Sequence, residues 1–206
     1  MKLNLLCLVS LLLAFPVVSQ KTRTDEKAKI GPEEYAVYAA VVTQFSANGL
    51  IDRPMISDRT STFQCGRSCN GMLVGKCSGM RAEDESAKQA LERLSKQAAE
   101  LKKETTADFE GKNQECAQIK ELLPLDVPYY MFSQSTAEDT PKAWRHPDYL
   151  YFSRVGFDPQ GTQALVYLAL MSGTDGKRSG GTYVLAAKEG TAWKVQKVVR
   201  VWSLGG

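Results

Sequence analysis

From Pro32 onward apolar side chains recur every three to four positions, and Tyr35, Tyr38, Val41, Val42 and Phe45 share one face of a helix. Pro32 opens that helix, Glu33 and Glu34 sit in its first turn, and Asn48-Gly49 ends it. The spacing predicts an amphipathic helix with one face buried against a sheet. A second helical pattern covers residues 82–104, where Ala87, Leu91, Leu94, Ala98 and Leu101 fall at spacings of four and three among Lys and Glu. Its stripe is narrow, so the helix packs on its own domain, the preferred reading, or on a partner. Thr105 and Asp108 have capping-box spacing and predict a further short helix over 105–118.

The period then shortens. Residues 127–133, 149–157, 162–171, 182–188 and 192–202 are rich in aromatic and β-branched side chains and predict strands. Asp158-Pro159-Gln160-Gly161, the glycine-rich run 173–181 and Glu189-Gly190-Thr191 separate the later strands with turn chemistry, which predicts antiparallel hairpins in a meander. A shorter β-prone stretch within 54–63 predicts a strand at a sheet edge. Residues 162–171 are apolar on both faces, as expected of a central strand. In the last strand Trp193, Val195, Val199 and Val201 alternate with Lys194, Gln196 and Arg200, the pattern of a sheet with one wet face, but Lys197 and Val198 break the alternation. Helices on one side of a curved antiparallel sheet formed mainly by a C-terminal β-meander define the expected fold class, α+β.

The first residues change the picture. Lys2, an apolar run over 5–15 and small residues at Val17 and Ser19 form a three-part secretory signal. The run is about 11 residues against the roughly 20 needed to span a bilayer. The expected organisation is a signal peptide at 1–19, a flexible polar lead at 20–30, and one α+β domain at 31–206 with a cysteine-bearing loop at 65–79. The processed protein is then secreted or periplasmic, with no stable membrane span.

Export bears on the cysteines. Cys65, Cys69, Cys77 and Cys116 remain after processing, an even count in an oxidising compartment, which favours two disulfides of undetermined pairing. The spacing is not that of a zinc ribbon, and no metal or other cofactor is expected. The formal net charge of +3 comes from interleaved acids and bases, so no nucleic-acid footprint is present.

No zinc-protease, α/β-hydrolase, phosphate-loop or dinucleotide motif occurs. The lone histidine, His146, is followed by Pro147 and Asp148, which could orient an imidazole; a plain loop histidine is the preferred alternative. Arg154 lies in an apolar strand and must face water or meet a carboxylate, for which Asp58 and Asp126 are the expected partners. Asp58, Arg59 and Arg154 form one candidate ligand cluster, and Lys177 and Arg178 at the tip of the glycine-rich hairpin form a second.

The segments ISDRT at 56–60, DVPYYMFS at 126–133, FSRVGFDPQGTQALVY at 152–167 and GGTYVLAAKEGTAWKV at 180–195 resemble a group of exported, functionally uncharacterised bacterial proteins. The resemblance implies secretion and a C-terminal β-meander, and it carries no site. Members of that group often have a cysteine in the glycine loop before the GxYVL strand, whereas MSGTDGKRSGG here has none. The order of helix then meander, ending in W-x-V, also looks like the cone-shaped domains related to nuclear transport factor two. The leading expectation is a non-catalytic exported domain that binds a small molecule or an envelope protein. The alternative is a small hydrolase or isomerase using His146 and Asp148 in a cone-shaped pocket.

Overall fold

The computed structural model describes residues 29–61, 87–133, 147–172 and 179–203. Among the described residues three helices and a mostly antiparallel seven-stranded sheet make an α+β fold. The helices are α1 (Pro32–Ala47), α2 (Ala87–Gln97) and α3 (Lys103–Lys112). The strands are β1 (Pro54–Ser57), β2 (Tyr130–Phe132), β3 (Asp148–Phe152), β4 (Gly156–Phe157), β5 (Gln163–Ser172), β6 (Gly180–Glu189) and β7 (Ala192–Ser203). Among the described residues no helix is long and apolar enough to cross a membrane.

The strands run in the order β2-β1-β3-β5-β6-β7, with β4 also paired to β5. The meander β5-β6-β7 is antiparallel, and β5 is interior as its two apolar faces require. The segment at 54–57 departs from expectation. It is not an edge strand: β1 lies between β2 and β3 and is parallel to both, and its burial on both faces suits that place.

The helices also depart from the expected single side. On β5, Ala164, Val166, Leu168 and Leu170 join a core with α1, while Leu165 and Tyr167 on the opposite face pack with α2 and Phe109 of α3. Both faces are covered, so no face of the meander is wholly wet. Ile30, expected in the mobile lead, is buried in the α1 core. Phe152 in the same core is fully buried, worth about 1.5–3 kcal/mol in transfer from water.

The helix read over 82–104 ends earlier. Gln163 of β5 accepts the Lys102 N–H at 2.8 Å and donates its amide to the Glu100 carbonyl at 2.8 Å, capping the break between α2 and α3 from another element. Thr105 and Asp108 do not form the expected capping box. Thr105 lies inside α3 and donates to Gln163 Oε1, and Asp108 accepts the Phe157 N–H at 2.7 Å.

Three irregularities bend the sheet. Between β3 and β4, residues 153–155 oppose only residues 166 and 167 of β5. On β7, Gln196 and Val201 are each left over where the register against β6 shifts. Such bulges kink a strand and turn the following side chains to the other face.

Candidate ligand-binding site

Arg154 sits in the first irregularity, and its partner is neither Asp58 nor Asp126. The guanidinium forks onto Glu34 in the first turn of α1, with Nε donating to Oε2 at 2.9 Å and Nη2 to Oε1 at 2.8 Å. Glu34 also accepts the N–H groups of Val155 and Gly31. The Arg154 backbone N–H donates to Asn113 Oδ1, and Asn113 Nδ2 donates to the Arg154 carbonyl, tying the end of α3 to the same point. Tyr38 donates its hydroxyl to the Ser153 carbonyl at 2.8 Å.

The Glu34 hydrogen bonds hold the Arg154 guanidinium more firmly protonated, outweighing the opposing effect of burial. Burial, and then the Glu34 charge, pushes the Tyr38 hydroxyl well above its ordinary range and keeps it a donor. No buried side-chain atom of this network lacks a partner. Arg154 therefore joins α1, the β3–β4 break and α3, and its fork is occupied by protein.

The other expected site residues are dispersed. Asp58 and Arg59 follow β1, and neither bonds to Arg154; Asp58 Oδ1 and Arg59 Nε are buried without hydrogen-bond partners. Asp148 is buried at the start of β3 and accepts the Asp52 N–H at 2.7 Å, which holds the turn leading into β1. His146, Lys177, Arg178, Cys65, Cys69 and Cys77 lie outside the described residues, and Cys116 is half-buried after α3.

The concave space lies elsewhere, where the C-terminal half of α1 crosses β5, β6 and β7. A cavity of about 550 Å³ opens there, within the roughly 300–1,000 Å³ range of sites for drug-sized molecules. Phe45, Leu50, Leu168, Leu170, Val195 and Val198 supply its apolar lining, and Leu50 and Val198 are 43% and 44% exposed at its rim. Gln44, Asn48, Thr182 and Arg200 supply polar groups.

Local sequence builds each wall. At the end of α1 the Gly49 N–H bonds the Ser46 carbonyl and the Leu50 N–H bonds the Phe45 carbonyl, with Gly49 at φ +67°. That termination needs glycine's left-handed freedom and sets Leu50 beside Phe45. On β7, Trp193 and Val195 face α1, the Gln196 bulge reverses the parity, and Val198 and Arg200 then line the cavity while Val199 and Val201 pack with α2. The broken alternation at Lys197 and Val198 was the sequence signal for this wall. Arg200 is exposed, as its alternation with valines predicts, and the shift at Gln196 adds that it stands on the α1 side of the sheet. Thr182 pairs across the strands with both Leu168 and Arg200, so one row runs from the interior of the sheet to its edge.

Among the described residues the side chains of Gln44, Asn48, Thr182 and Arg200 have no hydrogen-bond or ion-pair partner, and Thr182 Oγ1 is buried. The chemistry available is recognition: apolar walls, two amides, a hydroxyl and a guanidinium. No cluster of three or more metal-ligating side chains occurs among the described residues. No family model, curated protein or solved structure matches the chain.

Proposed function

We propose that this protein is an exported, disulfide-bearing domain that binds a small, largely apolar molecule between α1 and the β5-β6-β7 meander, with no chemistry of its own. One observation carries the reading: a cavity of about 550 Å³ with apolar walls carries Gln44, Asn48 and Arg200, whose exposed side chains have no partner among the described residues. Uncommitted to the protein, these groups are open to an occupant, and a few polar groups among apolar walls are what orients a small molecule in its site. Export is supported by the signal-like residues 1–19 and by the even count of four cysteines that follows them.

A neutral fluorescent probe, N-phenyl-1-naphthylamine, tests the reading. Saturable enhancement with the wild-type protein, abolished in a folded Val198→Trp variant that fills the rim, is the expected result. Enhancement that is absent, or unchanged by Val198→Trp, would remove the cavity as the binding site.

A further inference from the structure

We propose that the occupant is a single-chain amphiphile with an anionic head, whose head meets Arg200 and Thr182 and whose tail lies against Phe45, Leu168 and Leu170. The inference rests on the cavity being the ligand site and adds the chemical class of the ligand.

Charge sets the head. Among the described residues Arg200 is the one charged residue on the lining, and no described carboxylate accompanies it. Arg200 has no ion-pair partner among the described residues. A cationic head would meet only repulsion there, whereas a carboxylate matches the guanidinium fork through two parallel N–H bonds. Thr182 is the direct cross-strand partner of Arg200, and side chains so placed leave Cβ atoms about 4.5–5.5 Å apart. Its unpartnered Oγ1 is buried and reaches the same head through rotation of the side chain.

Position sets the tail. Arg200 is exposed on the edge strand β7, while Leu168, two strands inward on the same row, is 1% exposed. Polarity falls along that row from the edge to the interior, which orients an amphiphile head outward. The volume, mid-range for a drug-sized molecule, suits one acyl chain rather than a two-chain lipid.

Titration calorimetry of the full exported protein with decanoate and with decanol, both kept below micellar concentrations, separates head from tail. Decanoate should bind at least tenfold more tightly than decanol. Arg200→Gln should remove that preference, weakening decanoate about tenfold while leaving decanol within twofold. Thr182→Val should weaken decanoate severalfold with no loss of melting temperature, which a merely structural threonine would not do. Equal affinities for the two ligands, or an unchanged preference in Arg200→Gln, would overturn the anionic head while N-phenyl-1-naphthylamine binding keeps the cavity reading. Failure of all three compounds to bind would overturn both. Flotation with phosphatidylglycerol vesicles that also displace decanoate would overturn the single-chain assignment in favour of a membrane lipid.

Discussion

At the N-terminal end of α1 the buried charges of Arg154 and Glu34 meet each other and backbone groups, whereas at its C-terminal end the polar side chains of the Thr182–Arg200 row meet nothing. Both clusters lie between the same helix and the same sheet, and both sit beside a bulge. Their difference is one of completion. A closed network spends its hydrogen-bonding capacity on holding elements in register, while the open one leaves an exposed guanidinium free for a ligand and one hydroxyl, Thr182 Oγ1, buried without a partner. Completion, together with burial, separates the structural arginine at 6% exposure from the exposed recognition arginine in this fold.

The largest expected effect follows from breaking the closed cluster. Glu34→Ala leaves the Arg154 guanidinium in a site that is 7% exposed without its carboxylate, and urea denaturation should show a loss of about 3–5 kcal/mol. Replacing both partners, Glu34→Leu with Arg154→Met, should recover most of that loss, because apolar side chains of similar size leave no buried charge. Decanoate affinity of the folded double variant should be unchanged. A double variant as unstable as Glu34→Ala would show that the pair contributes more than mutual neutralisation.

Much of the frame was legible because it is written locally. The three-to-four spacing of Tyr35 to Phe45 with Asn48-Gly49 behind it located α1, and the turn at 158–161 located the start of β5. Arg154 was legible as a charge in need of a carboxylate. Its partner was not, because Glu34 lies 120 residues away and reads locally as a first-turn acid. The same limit hid β1: four residues buried on both faces look alike as an edge or an interior strand until β2 and β3 are placed. The site depended on register. Arg200 alternates with valines and is exposed as that pattern predicts, but only the leftover Gln196 places it on the cavity side of the sheet.

A geometric change should break the closed cluster without touching its polar groups. Gly156 follows Arg154 by two residues, and a Cβ there would fall inside the backbone of Phe109 on α3. Gly156→Ala must push α3 off β4 and loosen the Asn113 hydrogen bonds to Arg154, costing about 1–3 kcal/mol by the usual range for overpacking. A melting temperature equal to wild type would mean that α3 shifts freely and that Asn113 adds little.

Asp158 extends the comparison to pH. Its buried carboxylate accepts the N–H groups of Thr162 and Gln163 at 2.7 Å and the ammonium of Lys102 at 2.6 Å. Burial alone would raise its pKa, but the hydrogen bonds from Lys102, Gln163 and Thr162 outweigh it and hold the carboxyl well below the usual range. A folded-state pKa below the unfolded value of about 3.9 gives stability that is present above about pH 4 and lost as the pH falls below it. Asp158→Asn should therefore cost about 2 kcal/mol at pH 7, after allowance for a half-exposed Lys102. The deficit should shrink when denaturation is repeated near pH 3, and a deficit independent of pH would assign the loss to geometry.

The smallest expected effect has the opposite sign and bears most directly on the open cluster. Thr182 Oγ1 is buried with no partner, and such a hydroxyl costs of order 1 kcal/mol in the unliganded protein. Thr182→Val keeps the branched shape that β6 requires and removes the orphaned group. The ligand-free variant should then be more stable by about 1 kcal/mol, read as a higher urea midpoint with an unchanged slope. Saturating decanoate should reverse the order, because the wild type gains linkage stabilisation from a contact that the variant has lost. A variant less stable than wild type without ligand would mean that the hydroxyl is already satisfied, and the row between Leu168 and Arg200 would then belong with the closed cluster.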